Sequence, residues 1–501
     1  MELKKLVLVT TVVAAITGLY GCGSDERATV NIDAQDNSTT NTSTGGGGDT
    51  GSTVNCPSEF SFLRQDVNGN DVCQLNASIM ADATLTSDIT WFLGGAVVVG
   101  NGNQQMSATD GTLAEDDTPV EEVTLTIQPG TSILADNGTF ANLTITRGSN
   151  IIANGTASSP IVFSSEDAGF DGAGEWGGLI IHGYGLHNEC RYIGDGGADE
   201  PTTDVACNVD AEGESGLAGG HDNTDDSGSL SYVVVTEGGY EFAVGNEING
   251  ISFVGVGNGT TVNNIQVNNN ADDGVEFYGG SVNAKYLVLT GNQDDSIDWD
   301  EGYVGNIQYA LVVQSSESNG NTIEADTFGS DRILSAPTIV NATFVGNGGK
   351  NTLHVLKAGS GGFIHNSIMT GASGTIENCV LLDGEDVVTN AQTGNIAYNN
   401  TIADCTNFEI TDETGPVTAT NLDTAESSPN LITGVAASLD TSYASTATEA
   451  TGLTAIDFDM INTAFPGSKA DGTFFDDTTY IGAIEPGSTP WYEGWIVEGS
   501  L

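Results

Sequence analysis

From about residue 70 onward, short runs of Val, Ile, Leu and Thr alternate with clusters of Asn, Gly and Asp. ATLTSDITWFLGGAVVVG, VTLTIQPGTSILAD and LTITRGSNIIANGT are typical. Helical periodicity is never sustained, and turn residues recur every few positions, which predicts an all-β chain. The stretch from Asn268 to Tyr303 says which kind. NADDGVEFYGG and NQDDSIDWDEG superpose in a single register: Asp272 falls on Asp294, Asp273 on Asp295, Glu276 on Asp298, Phe277 on Trp299 and Gly280 on Gly302. A repeat of about 22 residues, with an aromatic held in register, reads as stacked coils of a solenoid.

NGISFVGV (249–256), NTIEADTF (321–328) and NTLHVLKA (351–358) continue the pattern on both sides. Asn-rich corners such as Val267-Asn268-Asn269-Asn270 suit a parallel β-helix, in which like side chains stack coil on coil. Val275/Phe277, Ile297/Trp299 and Ile323/Ala325 then fill the interior. The expected architecture is a single parallel β-helix over 55–501. Its coils are expected to be about 22 residues long, with loop excursions. GEWGGLIIHGYGLHN (174–188) and the Gly- and Asp-rich excursion from Cys190 to Cys207 interrupt it, with His182 and His187 expected to pack within the loop. Trp491, Tyr492 and Trp495 are expected to cap the last coil, the alternative being a carbohydrate platform.

The N-terminus reads as processing, not fold. Lys4 and Lys5 precede an apolar run from Leu6 to Leu19, short for a membrane span. Leu19-Tyr20-Gly21-Cys22 resembles a bacterial lipobox, which implies a signal peptide over 1–22 and acylation of Cys22. Gly23, in place of the Asp that retains lipoproteins at the inner membrane, implies the outer membrane, facing either the periplasm or the cell surface. Residues 23–54, rich in Ser, Thr, Asn and Gly, are expected to be a disordered tether. Six further cysteines in an exported chain point to disulfides. Pairing of sequence neighbours is favoured: Cys56–Cys73, Cys190–Cys207 and Cys379–Cys405. None has the CxxC spacing of a zinc or thiol-redox site.

Charge narrows the partners. The chain carries 11 Lys and Arg against 68 Asp and Glu. Such a field argues against nucleic acid and anionic lipid surfaces and favours cations. Adaptation to saline surroundings accounts for the excess, yet not for acids that align at the repeat period.

LTIQPGT, GTASSPIVFSS, GEWGGLIIHG, NEINGISFVGVGNGTT, NADDGVEFYGGSVNAKYLV and YIGAIEPG together resemble a family of bacterial exported lipoproteins. The resemblance covers most of residues 73–501 and implies a right-handed parallel β-helix of the pectin-lyase-like type. It carries no catalytic residue over to this chain.

Stacking the repeats sets out an outward column, Ser252, Glu276, Asp298, Glu324 and His354. A second holds Asn249, Asp273 and Asp295, and a third Asp300 and Asp326. Neighbouring coils lie about 4.8 Å apart. Two carboxylates at that distance repel by about 3.5 kcal/mol at an effective dielectric of 20, and by about 1 kcal/mol in open water. A sheltered column therefore calls for a cation or for protons. Calcium, with oxygen ligands at about 2.4 Å, can join neighbouring coils, and Asp272, Asp273, Asp294, Asp295 and Asp300 are its candidate ligands. Asx turns explain the same residues without a metal.

Glu276, Asp298, Glu324 and His354 are the candidates for a polysaccharide hydrolase or lyase, but the cationic positions that would seat a polyuronate are scarce. Two classes remain. One is an envelope-anchored monomeric β-helix that binds a cation, a glycan or a surface partner. The other is a glycan-degrading enzyme on the same scaffold.

Overall fold

Each turn of the solenoid contributes one long and one short strand, because the sequence supplies two apolar runs per repeat separated by corner residues. The computed structural model describes residues 55–501 apart from 67–68, 168, 191–205, 243–246, 328–332, 348–349, 373–375, 412–421, 423–429 and 466. Residues 1–54, on which the expected signal peptide, Cys22 and the expected tether fall, lie outside the described residues, as does most of the Cys190–Cys207 excursion.

The long strands Gly228–Thr236, Thr261–Asn268, Asn283–Thr290, Asn306–Val313 and Thr338–Gly346 pair in parallel within one 18-stranded sheet. Each is bent by one residue in the left-handed region, at Tyr232, Asn264, Tyr286, Tyr309 and Asn341, with φ between 50° and 62°. That residue drops out of the ladder, so Ser231 pairs with Asn263 and Val233 with Ile265. The bend folds one strand around two sides of the core. The short strands, among them Leu179–His182, Ile251–Val254, Val275–Tyr278, Ile297–Asp300, Ile323–Ala325 and Thr352–Leu356, form an 11-stranded parallel sheet across the other side. The result is a right-handed parallel β-helix.

Between the sheets lies one continuous core. Phe253, Phe277 and Tyr303 stack face to face, with centroids 5.2 and 4.4 Å apart. Val275, Ile297, Trp299, Ile323 and Ala325 are buried beside them, as the repeat predicts. Phe277 pairs with Trp299 in the expected register, whereas the coil before it, from Phe253 to Phe277, and the one after it, from Trp299 to Ala325, are both longer. The added residues leave as loops, so the strand repeat survives them. All three expected disulfides are present.

The C-terminal aromatics take a different place from the one predicted. Residues from about 465 to 501 run back across the outer face of the long sheet. Trp495 packs on Val234 and Val288, and against Tyr232 edge-on. Gln266 holds Val497 and Ser500, Gln308 holds Asp476, and Asn341 holds Tyr480. The outward face of that sheet is apolar and needs cover, and the strap supplies it. Trp495 is buried and Trp491 and Tyr492 are partly buried, so no exposed aromatic platform results.

Candidate functional site: an acidic ladder on the short sheet

Backbone pairing fixes the first column. Ser252, Glu276, Asp298 and Glu324 stand opposite one another on successive short strands. Three residues earlier on the same coils, at the corner before each strand, Gly250 N donates to Asp273 O, Gly274 N to Asp295 O and Ser296 N to Asn321 O, so Asn249, Asp273, Asp295 and Asn321 form the second column. These Asp side chains also tie coil to coil. Asp273 Oδ1 accepts from the Asp295 amide at 2.9 Å, and Asp295 Oδ1 accepts from the Asn321 amide. Gly274 follows directly, and a side chain there would meet Asn292 Nδ2 at 2.4 Å and Ser296 O at 2.6 Å. The corner closes only because it is bare.

Seven carboxylates converge in three groups: Asp272, Asp273 and Asp294; Asp273, Glu276 and Asp298; and Asp295, Asp298 and Glu324. Within each, one oxygen per residue lies within 4.8 Å of the others. The strand acids and the corner acids before them are not a solvated edge. Asp273, Glu276, Asp295 and Asp298 are only 5–8% exposed. Burial first, and then the neighbouring carboxylates, hold all four well above the usual carboxylate range. Asp272 is pushed up to about 7 for the same reasons.

Few donors offset this charge. Asn249 Nδ2 donates to Glu276 Oε2 at 2.7 Å and to Glu212 Oε2 at 2.8 Å, and the Tyr278 hydroxyl donates to Glu276. Lys357 Nζ donates to Glu324 Oε2 at 2.6 Å. Asp298 Oδ1 is buried and has no hydrogen-bond partner. An orphaned carboxylate oxygen among four other acids is the arrangement that a bound cation resolves.

The sequence candidates separate here. Asp272, Asp273, Asp294 and Asp295 are brought together, joined by Glu276, Asp298 and Glu324. Asp300 belongs to none of the three groups; its Oδ1 accepts from the Glu301 amide at 2.5 Å. His354 is a correction. It pairs with Ile323, while Val355 stands opposite Glu324. The intervening coil slips the register by one residue, which turns the side chain to the other face. His354 is fully buried in the interior, its Nδ1 3.0 Å from the Tyr398 hydroxyl and its ring edge-on to Phe344. Burial pulls its pKa down to about 3, so it is neutral across the ordinary pH range. His182 and His187 are buried as well, against Ser215 and Glu301 respectively.

Two contributors escape a reading of the repeat. Glu212 enters from the hairpin of Val209–Ala211 and Gly216–Ala218, whose sequence shares nothing with the coils. Tyr278 occupies the strand position held by Asp300 one coil later, and its phenol swings toward Glu276. Only the alternation of Tyr278 with Glu276 on one strand could have signalled it.

With this geometry in place, the comparison with known families is decisive for the scaffold. A family model described as a pectate-lyase like beta helix domain matches residues 112–455. The chain belongs to that family. No curated protein and no solved structure matches it. On this pectate-lyase-like β-helix the acidic columns occupy the short sheet. A cleft of about 510 Å³ lies elsewhere, lined by Val313, Thr370, Asp404, Asp440 and Tyr443. Among the described residues that line it, Asp404 and Asp440 are the acidic ones.

Proposed function

We propose that the protein is an envelope-anchored β-helix lipoprotein, attached through Cys22, whose acidic ladder binds divalent cations, with calcium the best match. Convergence of seven carboxylates from three successive coils carries the reading. Calcium takes six to eight oxygen ligands in flexible geometry, and a ladder of carboxylates and corner carbonyls offers them. The bound ion would tie adjacent coils together and give the exposed solenoid a binding or structural role, with a glycan or surface protein as its partner.

A polysaccharide-cleaving enzyme is the competing reading and has less support. Two carboxyls must flank an accessible sugar bond, whereas Glu276 and Asp298 are only 8% exposed. The test is calcium-titrated melting of the full-length protein purified in detergent. Calcium should raise the melting temperature of metal-stripped protein, and Asp273→Asn should reduce that gain. No response to calcium would remove the cation reading. Reducing ends released from a panel of neutral and acidic polysaccharides would replace it with the enzyme.

A further inference from the structure

The three carboxylate groups are not equivalent, and their relation goes further than cation binding as such. Asp273, Glu276 and Asp298 make one group; Asp295, Asp298 and Glu324 make another. In register, Asp273 lies under Asp295, Glu276 under Asp298, and Asp298 under Glu324. The second group is therefore the first moved up by one coil, and Asp298 belongs to both. It is the upper-coil ligand of one and a lower-coil ligand of the next. Its Oδ1 is buried without a hydrogen-bond partner, and the residue is only 8% exposed.

The run of copies also ends where the sequence ends it. One coil down, the corresponding positions are Asn249, Ser252 and Glu276, and one coil up they are Asn321, Glu324 and Val355. Each of these retains a single carboxylate. Among the described residues the ladder thus holds two complete copies and no third. Charge agrees with that count. The two copies share five carboxylates, and Lys357 is paired with Glu324, which leaves four negative charges for two divalent ions.

We propose that Asp298 bridges two divalent cations seated one coil apart in successive copies of the same site. The inference rests on the cation reading above and adds number, position and the bridging ligand. The first copy draws on Asp273 and Glu276, the second on Asp295 and Glu324, and each carboxylate oxygen of Asp298 is directed to one ion. Water and corner carbonyls complete a hard, oxygen-only shell of the kind calcium accepts. Asp272 and Asp294, which form the remaining group with Asp273, lie on the turn beside this pair and are not needed for it.

The experiment counts ions and measures their separation. Calcium stoichiometry is read by equilibrium dialysis and metal analysis on the full-length, metal-stripped protein. Mn²⁺ then replaces calcium for electron paramagnetic resonance, where two ions about 4.8 Å apart broaden one another's lines. Wild type is expected to show the coupled spectrum. Asp298→Asn should lose two ions together and abolish the coupling, Glu324→Gln should lose one, and Asp294→Asn should leave the coupled pair in place. The amides match the acids in shape and remove like-charge repulsion, and circular dichroism checks that each variant is folded. Loss of a single ion in Asp298→Asn, or isolated Mn²⁺ lines in wild type, overturns the bridge and leaves cation binding standing. Absence of any bound calcium or Mn²⁺ in wild type overturns both.

Discussion

Metal-stripped protein should lose stability as pH rises from 6.5 to 8.5. The folded chain holds protons on Glu212, whose pKa burial lifts to about 8, and on Glu237 and Asp272, each lifted to about 7. Asp273, Glu276, Asp295 and Asp298 are raised further in the same direction. In the unfolded chain all of these are ionised above about pH 5. The folded state therefore binds more protons, and its advantage is present at low pH and lost as pH passes each folded pKa. The buried histidines His182, His354 and His365, pulled down to about 3, act in the opposite sense. Their unfolded forms titrate near 6.5, so they affect stability only below that value and leave the upper window to the carboxylates.

For Glu212 alone, 1.5 pH units at about 1.4 kcal/mol each come to about 2 kcal/mol. With an unfolding entropy of about 2.1 cal/mol/K per residue, a unit of about 450 residues loses about 2 °C for that amount, and the ladder adds to it. The assay is scanning calorimetry at pH 6.5, 7.5 and 8.5, metal-free and in saturating calcium. Calcium should flatten the slope, because the cation takes over the work of the protons. Glu212→Gln keeps an acceptor for Asn249 Nδ2 and should make the metal-free slope shallower. A metal-free melting temperature that stays level or rises with pH would refute the account.

Two further outcomes follow from the packing. Arg147 is fully buried and donates to the carbonyls of Gly102, Gln104, Cys207 and Gly219 at 2.7–3.0 Å, tying the Val209–Ala218 hairpin to the coils. Arg147→Met should cost about 3 kcal/mol or more, with limited proteolysis of that hairpin as the sensitive measurement. Phe277→Ala breaks the Phe253–Phe277–Tyr303 stack and should cost about 3–5 kcal/mol in denaturant unfolding, while the calcium-induced gain persists because the ladder faces the other way.

The solenoid was legible because its repeat is local. Asp272, Glu276 and Phe277 recur one coil on as Asp294, Asp298 and Trp299, and strand register carries that alignment straight into space. His354 shows where the method fails. The coil between Ala325 and Thr352, which carries the long strand Thr338–Gly346, absorbs the one-residue slip, and no property of the NTLHVLKA run reveals which way the next strand has turned. Burial of the ladder was hidden for a different reason. It is sheltered in part by a hairpin far from it in sequence, where Ala218 joins Ile180, Ile248 and Val254 and brings Glu212 against Asn249. The strap was misplaced because Trp491 and Trp495 announce an apolar surface to be covered without saying which one.

That strap changes how the molecule comes apart. A stack of repeats contacting only nearest neighbours frays from its ends, one unit at a time. Here a segment synthesised late is fastened across coils made long before it, from Gln266 beneath Val497 to Asn341 beneath Tyr480. Opening any coil in that span requires lifting the strap first, which couples neighbours that would otherwise melt separately. A nascent chain would remain incompletely closed until this segment arrives, and would then lock along much of its length in a single event.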